Sequence, residues 1–284
     1  MVTMPKYQGR QTRILGKSFV FALLLSYTAF ILGPFVWVGL ISLRTTEEFY
    51  RNPYGLPTPA HFEKFAIAWT EYNYGRYFLN SMLVVGTAVV SAVVVGSMAA
   101  YCFAKFRFKF SEALFYLIFL SIMFPPQIRL ISLYQILSQY RLLDTRTGLI
   151  LVYISTQLTL TIFLLRDFFE AIPKDLLDAA RIDGCTEWGI FWKIAFPITK
   201  PGLSAVAILN FVFLWTEFLF AVTFISSESK RTLPLGVIRF LGERYEDIGM
   251  VATGVMIAVI PILILYIVLS ERFIQSMVIG AIKG

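Results

Sequence analysis

Residues Asp178 to Pro197 read DAARIDGCTEWGIFWKIAFP. This short segment carries both signs of charge around a glycine, and it lies between two long apolar runs. Just upstream, Pro173 can open a helix at its first turn, and Asp175 adds favourable negative charge near that N-terminus. Leu176, Leu177, Ala180 and Ile182 supply apolar positions, and the small Ala179 and Ala180 let another surface come close. Gly184 ends the helix, where a left-handed residue costs little. A second short helix over Trp188–Phe196 leads to Pro197. The residues therefore predict a helix–glycine–helix elbow. Two readings fit it: a hairpin that caps the chain's own bundle, or a joint that docks a partner.

The surroundings decide where such an elbow sits. Of the 284 residues, 57% are hydrophobic and 15% charged, and the mean hydropathy is +0.71. A soluble domain carries more charge and less apolar surface. Apolar runs recur here at bilayer-spanning length, and they predict six helical spans, since lipid leaves a crossing backbone no other way to pair its polar groups. The first is about Phe19 to Ile41, and the second about Ser81 to Phe103. The third begins near Ala113 and is interrupted by Pro125-Pro126, with 128–137 continuing as a separate helix. The fourth is about Gly148 to Leu165, the fifth about Leu203 to Phe224, and the sixth about Met250 to Leu269. The first run is too long for a signal peptide and leads into Trp37 rather than a small-residue cleavage site, so it reads as a retained span. Residues 42–80, with their alternating prolines and aromatics, read as an ordered loop.

The net charge of +7 fits lysine and arginine flanking membrane spans better than a nucleic-acid surface. Lys6, Arg10, Arg13 and Lys17 precede the first span with no acid among them, which places the N-terminus in the cytoplasm. Six spans return the C-terminus to the same side. The elbow, within 166–201, then also faces the cytoplasm. Arg129, Arg141 and Arg146 fall on the outer side and go against the charge rule.

Two cysteines, Cys102 and Cys185, and one histidine, His61, exclude a Cys/His zinc cage. His61 reads as a surface residue. Gly16-Lys17-Ser18 looks like the end of a phosphate loop, but Gln11 stands where that motif needs glycine. There is no Gly-x-Ser-x-Gly elbow. No catalytic or metal site is expected in this chain, and nucleotide chemistry must come from a partner.

The segment resembles the EAA loop of the inner-membrane permease subunits of ABC importers. That pattern is Glu-Ala-Ala, three residues, Gly, nine residues, Ile, one residue, Leu-Pro. Here Asp178, Ala179, Ala180, Gly184, Ile194 and Pro197 hold every spacing, with Asp178 in place of glutamate and Phe196 in place of leucine. Three further stretches, Phe124-Pro125-Pro126, WTEF at Trp215–Phe218 and TLPLG at Thr232–Gly236, resemble the carbohydrate-importing branch, and within it the maltose-type second permease subunit. The resemblance implies an all-α membrane protein: a six-helix type I importer (MetI-like) permease fold with a cytoplasmic coupling loop. It implies residues 1–18 as a cytoplasmic leader, 19–271 as the transmembrane domain with the loop at 170–200, and 272–284 as a cytoplasmic tail. It further implies a multi-pass inner-membrane subunit that moves a sugar, oligosaccharide or glycosyl-polyol, working with a second, different permease, an ATPase dimer that holds ATP and Mg, and an extracytoplasmic solute-binding protein. Asp178, Ala179, Ala180, Arg181, Asp183, Gly184, Ile194 and Pro197 would carry the ATPase coupling. The EAA pattern alone also fits a permease for amino acids, phosphate or ions. A stand-alone secondary transporter fits less well, because the chain shows no inverted repeat and few intramembrane ionisable residues.

Glu217 is the only charged side chain inside these six spans. A charge at mid-bilayer costs about 2.5 to 3.5 kcal/mol on insertion scales, so Glu217 is expected to face the bundle interior or a wet path. Trp215 and Thr216 beside it could stack on and hydrogen-bond a hydroxylated solute. These three residues are the expected path or gate; the alternative is that Glu217 lies near the interface and snorkels, or pairs structurally with the partner permease.

Overall fold

The computed structural model describes residues 8–237 and 247–281, with side chains over 17–237 and 247–268. Every regular element among the described residues is helical. Thirteen α-helices are used below: α1 (Gln8–Ser42), α2 (Thr46–Arg51), α3 (Glu63–Thr70), α4 (Tyr74–Lys105), α5 (Ser111–Leu120), α6 (Pro126–Gln139), α7 (Arg146–Glu170), α8 (Lys174–Ile182), α9 (Glu187–Ile190), α10 (Phe196–Ile198), α11 (Lys200–Trp215), α12 (Leu219–Phe224) and α13 (Ile248–Ala281). Four stretches are long and apolar enough to cross a membrane unbroken: Lys17–Ser42, Tyr74–Lys105, Arg146–Glu170 and Ile248–Val268. Two bent pairs pass the same test only when taken together, as broken spans or re-entrant loops: Ser111–Met123 with Pro126–Gln139 at 102° and Glu187–Ile198 with Lys200–Trp215 at 76°.

One of these findings corrects the sequence reading. The fifth span does not run unbroken to Phe224, because helix α11 stops at Trp215 and the chain restarts as α12 at Leu219. Arg129 lies in α6, the second limb of the 102° bend, and Glu217 lies just past the end of α11. The tandem proline does break the third span as expected. Pro126 opens α6 at its first position, where a missing N–H costs nothing.

The chain divides into two compact units. The first contains α1, α2, most of α3 and the first turns of α13. Helix α1 exposes its apolar residues from Phe19 to Trp37, Phe30 by 80%, as a helix solvated by lipid or a membrane neighbour does. Its end is tied by buried cations. Arg44 donates to the carbonyls of Glu48 at 2.5 Å and Asn52 at 2.8 Å, and Lys64 donates to Arg44 O at 2.7 Å and Asp247 at 3.1 Å. A Thr45–Glu48 capping box starts α2. His61 is half-buried, and its ring meets the exposed Glu63 at 2.6 Å.

The second unit is built on α4, α7 and α11. Helices α4 and α7 run the same way, because Asn80 and Arg146 both bond Ser229 O at one end and Lys105 bonds Glu170 O and Ile172 O at the other. The buried side of α4 repeats small residues at helical spacing: Ala88, Ala92, Gly96 and Ala100. Without a hydrophobic force between helices in lipid, close approach of small residues is what packs them. At Gly96 a Cβ would come within 2.5 Å of Thr161 Cγ2 on α7. Thr161 in turn accepts a hydrogen bond from Asn210 of α11 at 2.8 Å, fully buried.

The end of this unit remote from the elbow is stitched by Asp144. Its carboxylate accepts from the backbone N–H groups of Ser226 at 3.0 Å and Ser227 at 2.8 Å, from the Ser227 hydroxyl, and from Lys230 at 2.9 Å. Covering the carboxyl pushes its pKa up, but the Ser227 bonds and the Lys230 ammonium outweigh this and hold it well below the usual carboxylate range. Its stabilising contribution is therefore full above about pH 4, the unfolded carboxylate value, and is lost as the pH falls through the depressed folded value. Thermal unfolding of the purified protein between about pH 7 and about pH 3 should show a steeper acid loss in the wild type than in Asp144→Asn. Parallel curves would contradict the assignment.

Candidate functional site

The elbow is built as its sequence implies, with one shift: Pro173 stands just ahead of α8 rather than inside it. Helix α8 buries Leu177 and Ala180 and exposes Leu176, Asp178 and Ala179. It ends in two backbone bonds, Cys185 N to Ala180 O and Gly184 N to Arg181 O, each 3.0 Å. This pair is a Schellman motif, and its glycine must be left-handed. Gly184 has φ +81°, while a Cβ there would meet nothing within 4 Å. Only the backbone, not crowding, requires glycine.

The second limb starts at Thr186, whose hydroxyl accepts Gly189 N at 3.2 Å. It passes from α9 through a π-turn at Phe191–Ala195 into α10. The turn has a local cause. Pro197 lacks an N–H, and its ring would meet the carbonyl four residues back in a regular α-helix. Such widened turns recur at functional sites. Ile194 and Pro197 are both half-buried here.

Arg181 locks the two limbs together. It donates to Asp178 on its own helix and to Glu187 Oε1 at 2.6 Å across the bend. Asp183 is exposed at the tip and makes no part of this clamp. Below the clamp lies an aromatic hub. Tyr101 of α4 packs on Phe169 of α7 at 5.6 Å and on Phe191 at 5.3 Å between ring centroids. Lys105, at the last turn of α4, donates to Ile172 O at 2.7 Å and so fixes the corner where α7 passes into α8. The outer face carries Ile182 at 87% and Trp188 at 63% exposure.

The elbow residues thus come together, whereas the expected path residues do not form one surface. Trp215 is buried, its Nε1 donating to Ala258 O at 2.9 Å and its ring stacked on Phe211. Thr216 is exposed and back-bonds to Val212 O at 2.9 Å. Glu217 sits in the gap between α11 and α12. It accepts from Tyr153 OH at 2.7 Å, Phe220 N at 2.7 Å and Ala221 N at 3.2 Å. Sequence reasoning missed Glu187, Lys105 and Tyr153. Thr186-Glu187 carries a helix-start signal that could have shown the first, and Lys105 ends an apolar run. Nothing local points to Tyr153, which lies 64 residues from Glu217. No cluster of His, Cys, Asp and Glu suited to a metal occurs among the described residues.

Residues 92–277 match the family described as the binding-protein-dependent transport system inner membrane component. The chain belongs to this family. The permease is 35% identical to the diacetylchitobiose uptake system permease protein NgcG of Streptomyces coelicolor, over 92% of its own length and 87% of the relative's. It is 31% identical to the melibiose/raffinose/stachyose import permease protein MelC of Bacillus subtilis, over 88% and 91%. Its fold matches a permease chain in the crystal structure of a bacterial ABC transporter involved in the import of the acidic polysaccharide alginate, with a TM-score of 0.77, 22% identity, and coverage of 95% and 100%. The permease is a multi-pass subunit of an ABC importer and is not itself an enzyme.

Glu217 generates a test of its own. Removing its carboxylate leaves two backbone donors and a tyrosine hydroxyl without an acceptor, at about 1–3 kcal/mol for each buried group. Glu217→Ala should lower the yield of assembled protein and solute uptake together, with Glu217→Gln intermediate because it keeps one oxygen. Full yield with lost uptake in the alanine variant would remove this bracing role.

Proposed function

We propose that the permease carries a sugar, oligosaccharide or glycosyl-polyol into the cell. The relatives named for diacetylchitobiose and for melibiose, raffinose and stachyose support this class. In this reading an extracytoplasmic binding protein delivers the solute, a second, different permease completes the pathway, and a pair of ATPase subunits binding ATP and Mg drives the cycle. Both termini and the elbow lie in the cytoplasm. Residues 1–18 form the leader, 19–271 the transmembrane domain with the coupling loop at 170–200, and 272–284 the tail.

The observation that carries the proposal is the elbow. It is internally locked by Arg181 and offers an unpaired apolar tip at Ile182. A joint of this kind transmits force, because neither limb can turn alone without breaking the clamp. Asp178, Ala179, Ala180, Arg181, Asp183, Gly184, Ile194 and Pro197 would seat it in the ATPase and hold its shape. Thr216 and Glu217, with Trp215 packed behind them, would act as the gate's hinge: the helix break gives the chain a place to bend, and the Glu217 carboxylate sets its resting geometry.

Gly184→Leu forces a side chain into a left-handed turn, at roughly 1–2 kcal/mol. The variant should still insert in the membrane, yet lose ATPase co-purification or the coupling of ATP hydrolysis to uptake. Wild-type uptake and ATPase stimulation would take the elbow out of the mechanism. Topology is checked separately by single cysteines at Thr58 and Lys174 in a cysteine-free background. An impermeant thiol reagent applied to intact cells should reach the first and not the second. Labelling of the Lys174 position from outside would reverse the orientation.

A further inference from the structure

The bend in the third crossing opens a cleft of about 200 Å³ against α7 and α11. Its polar lining is Ser121, Arg129, Thr156, Gln157 and Thr159, with Phe124 and Phe213 among its apolar residues. Arg129 is the one charged group in this lining, and no carboxylate joins it. Its Nε is closed off from solvent and has no acceptor. Among the described residues it forms no ion pair.

Arg129 as a whole is half-buried with its Nε enclosed, so an acceptor entering the cleft would gain a bond that none of the described residues makes. A guanidinium keeps its charge, and a buried charged donor without an acceptor loses more than a neutral one. Among the described residues the Nε atoms of Arg44 and Arg146 also lack an acceptor, but those cations bond elsewhere: Arg44 to two carbonyls and Arg146 to Ser229 O, while Lys64 meets Asp247. Arg129 is also in the first turn of α6, where the helix dipole adds positive potential. The neighbouring polar groups are hydroxyls and one amide, suited to a polyol. Ser121 Oγ and Thr159 Oγ1, 2.9 Å apart, already hold one another in place. Phe124 and Phe213 are 57% and 56% exposed and offer ring faces to the apolar side of a sugar ring.

We propose that this cleft is a solute-contact site of the permease itself, and that Arg129 takes the acidic group of a charged saccharide while Gln157, Thr156 and Thr159 take its hydroxyls. The proposal rests on the reading of the chain as a saccharide importer. It narrows the solute to one carrying a carboxylate or an equivalent anion.

The test uses the complete importer in native membranes, with Cys102 and Cys185 replaced by alanine and a single cysteine introduced as Thr156→Cys. Two methanethiosulfonate reagents of similar size are compared, one carrying a sulfonate and one a trimethylammonium group. The anionic reagent should react faster by about tenfold, Arg129→Lys should keep that preference, and Arg129→Gln should abolish it. Digalacturonate should slow the reaction, and maltose should not. Equal rates for the two reagents, or a preference that survives Arg129→Gln, would overturn the proposal. Equal protection by maltose would overturn the acidic class. A cysteine that reacts only after detergent disrupts the assembly would show that lipid or the second permease fills the cleft, which also overturns it. Co-purification of an ATPase and a second permease from the same membranes reports independently on the importer reading, so the two can fail separately.

Discussion

Inside a bilayer a chain can leave the helix only where something other than water takes the freed backbone groups. Each break in this permease meets that demand locally. At Pro125-Pro126 two of the N–H groups that would be freed do not exist, and the turn is closed by Phe124 N to Ser121 O and Ile128 N to Pro125 O. At Thr199 the side-chain hydroxyl donates to Ala195 O and Phe196 O, while Pro197 and Pro201 again remove donors. At 216–218 no proline helps, and the Glu217 carboxylate supplies the missing acceptor for Phe220 N and Ala221 N. Glu217 is therefore placed by the backbone's needs before any solute is considered.

The same demand shapes how the elbow is hung. Helix α7 must end, and its last carbonyls must find donors; Lys105 from α4 reaches two of the carbonyl groups at this corner, Glu170 O and Ile172 O. This bond, with the Tyr101–Phe169–Phe191 hub, ties the elbow to the ends of two parallel helices. Those helices pack through small residues along α4 and through the Asn210–Thr161 bond, with little slack between them. A push on the elbow is thus delivered to a stiff pair rather than absorbed in a loop. On the proposed reading this is the physical basis of coupling. It needs no movable residue within the elbow, and the left-handed Gly184 serves to fix an angle rather than to flex.

Much of this was legible in the chain. Span length and hydropathy gave the crossings, the tandem proline gave the third break, and Gly184 gave the bend between α8 and α9, because each rests on a local property of the residues concerned. The break at Thr216–Phe218 was not legible. WTEF lies in an apolar run with no glycine or proline, and the carboxylate that permits the break is stabilised by Tyr153 from another span. The same is true of Glu187, whose role depends on Arg181 facing it across the turn. Arg129 was read as part of an outer loop because the tandem proline interrupts the third span just before it. Instead α6 follows a 102° bend as the second limb of a bent apolar helix pair.

Glu217 and Arg129 show why a charge in a membrane span has to be read with its partners. Both are ionisable groups within or beside apolar helices, although the sequence reading placed Glu217 inside a span and Arg129 in an outer loop. Glu217 has three donors, two from the backbone it braces, so its charge is compensated within the subunit and its position is explained by that alone. Arg129 has hydroxyls and an amide beside it and no opposing charge among the described residues, so its position is not explained by the subunit. On the proposed reading, a bound solute compensates it. The cleft's hydroxyl lining and exposed aromatic faces fit a sugar acid, whose anion, hydroxyls and apolar ring face would each find a partner there.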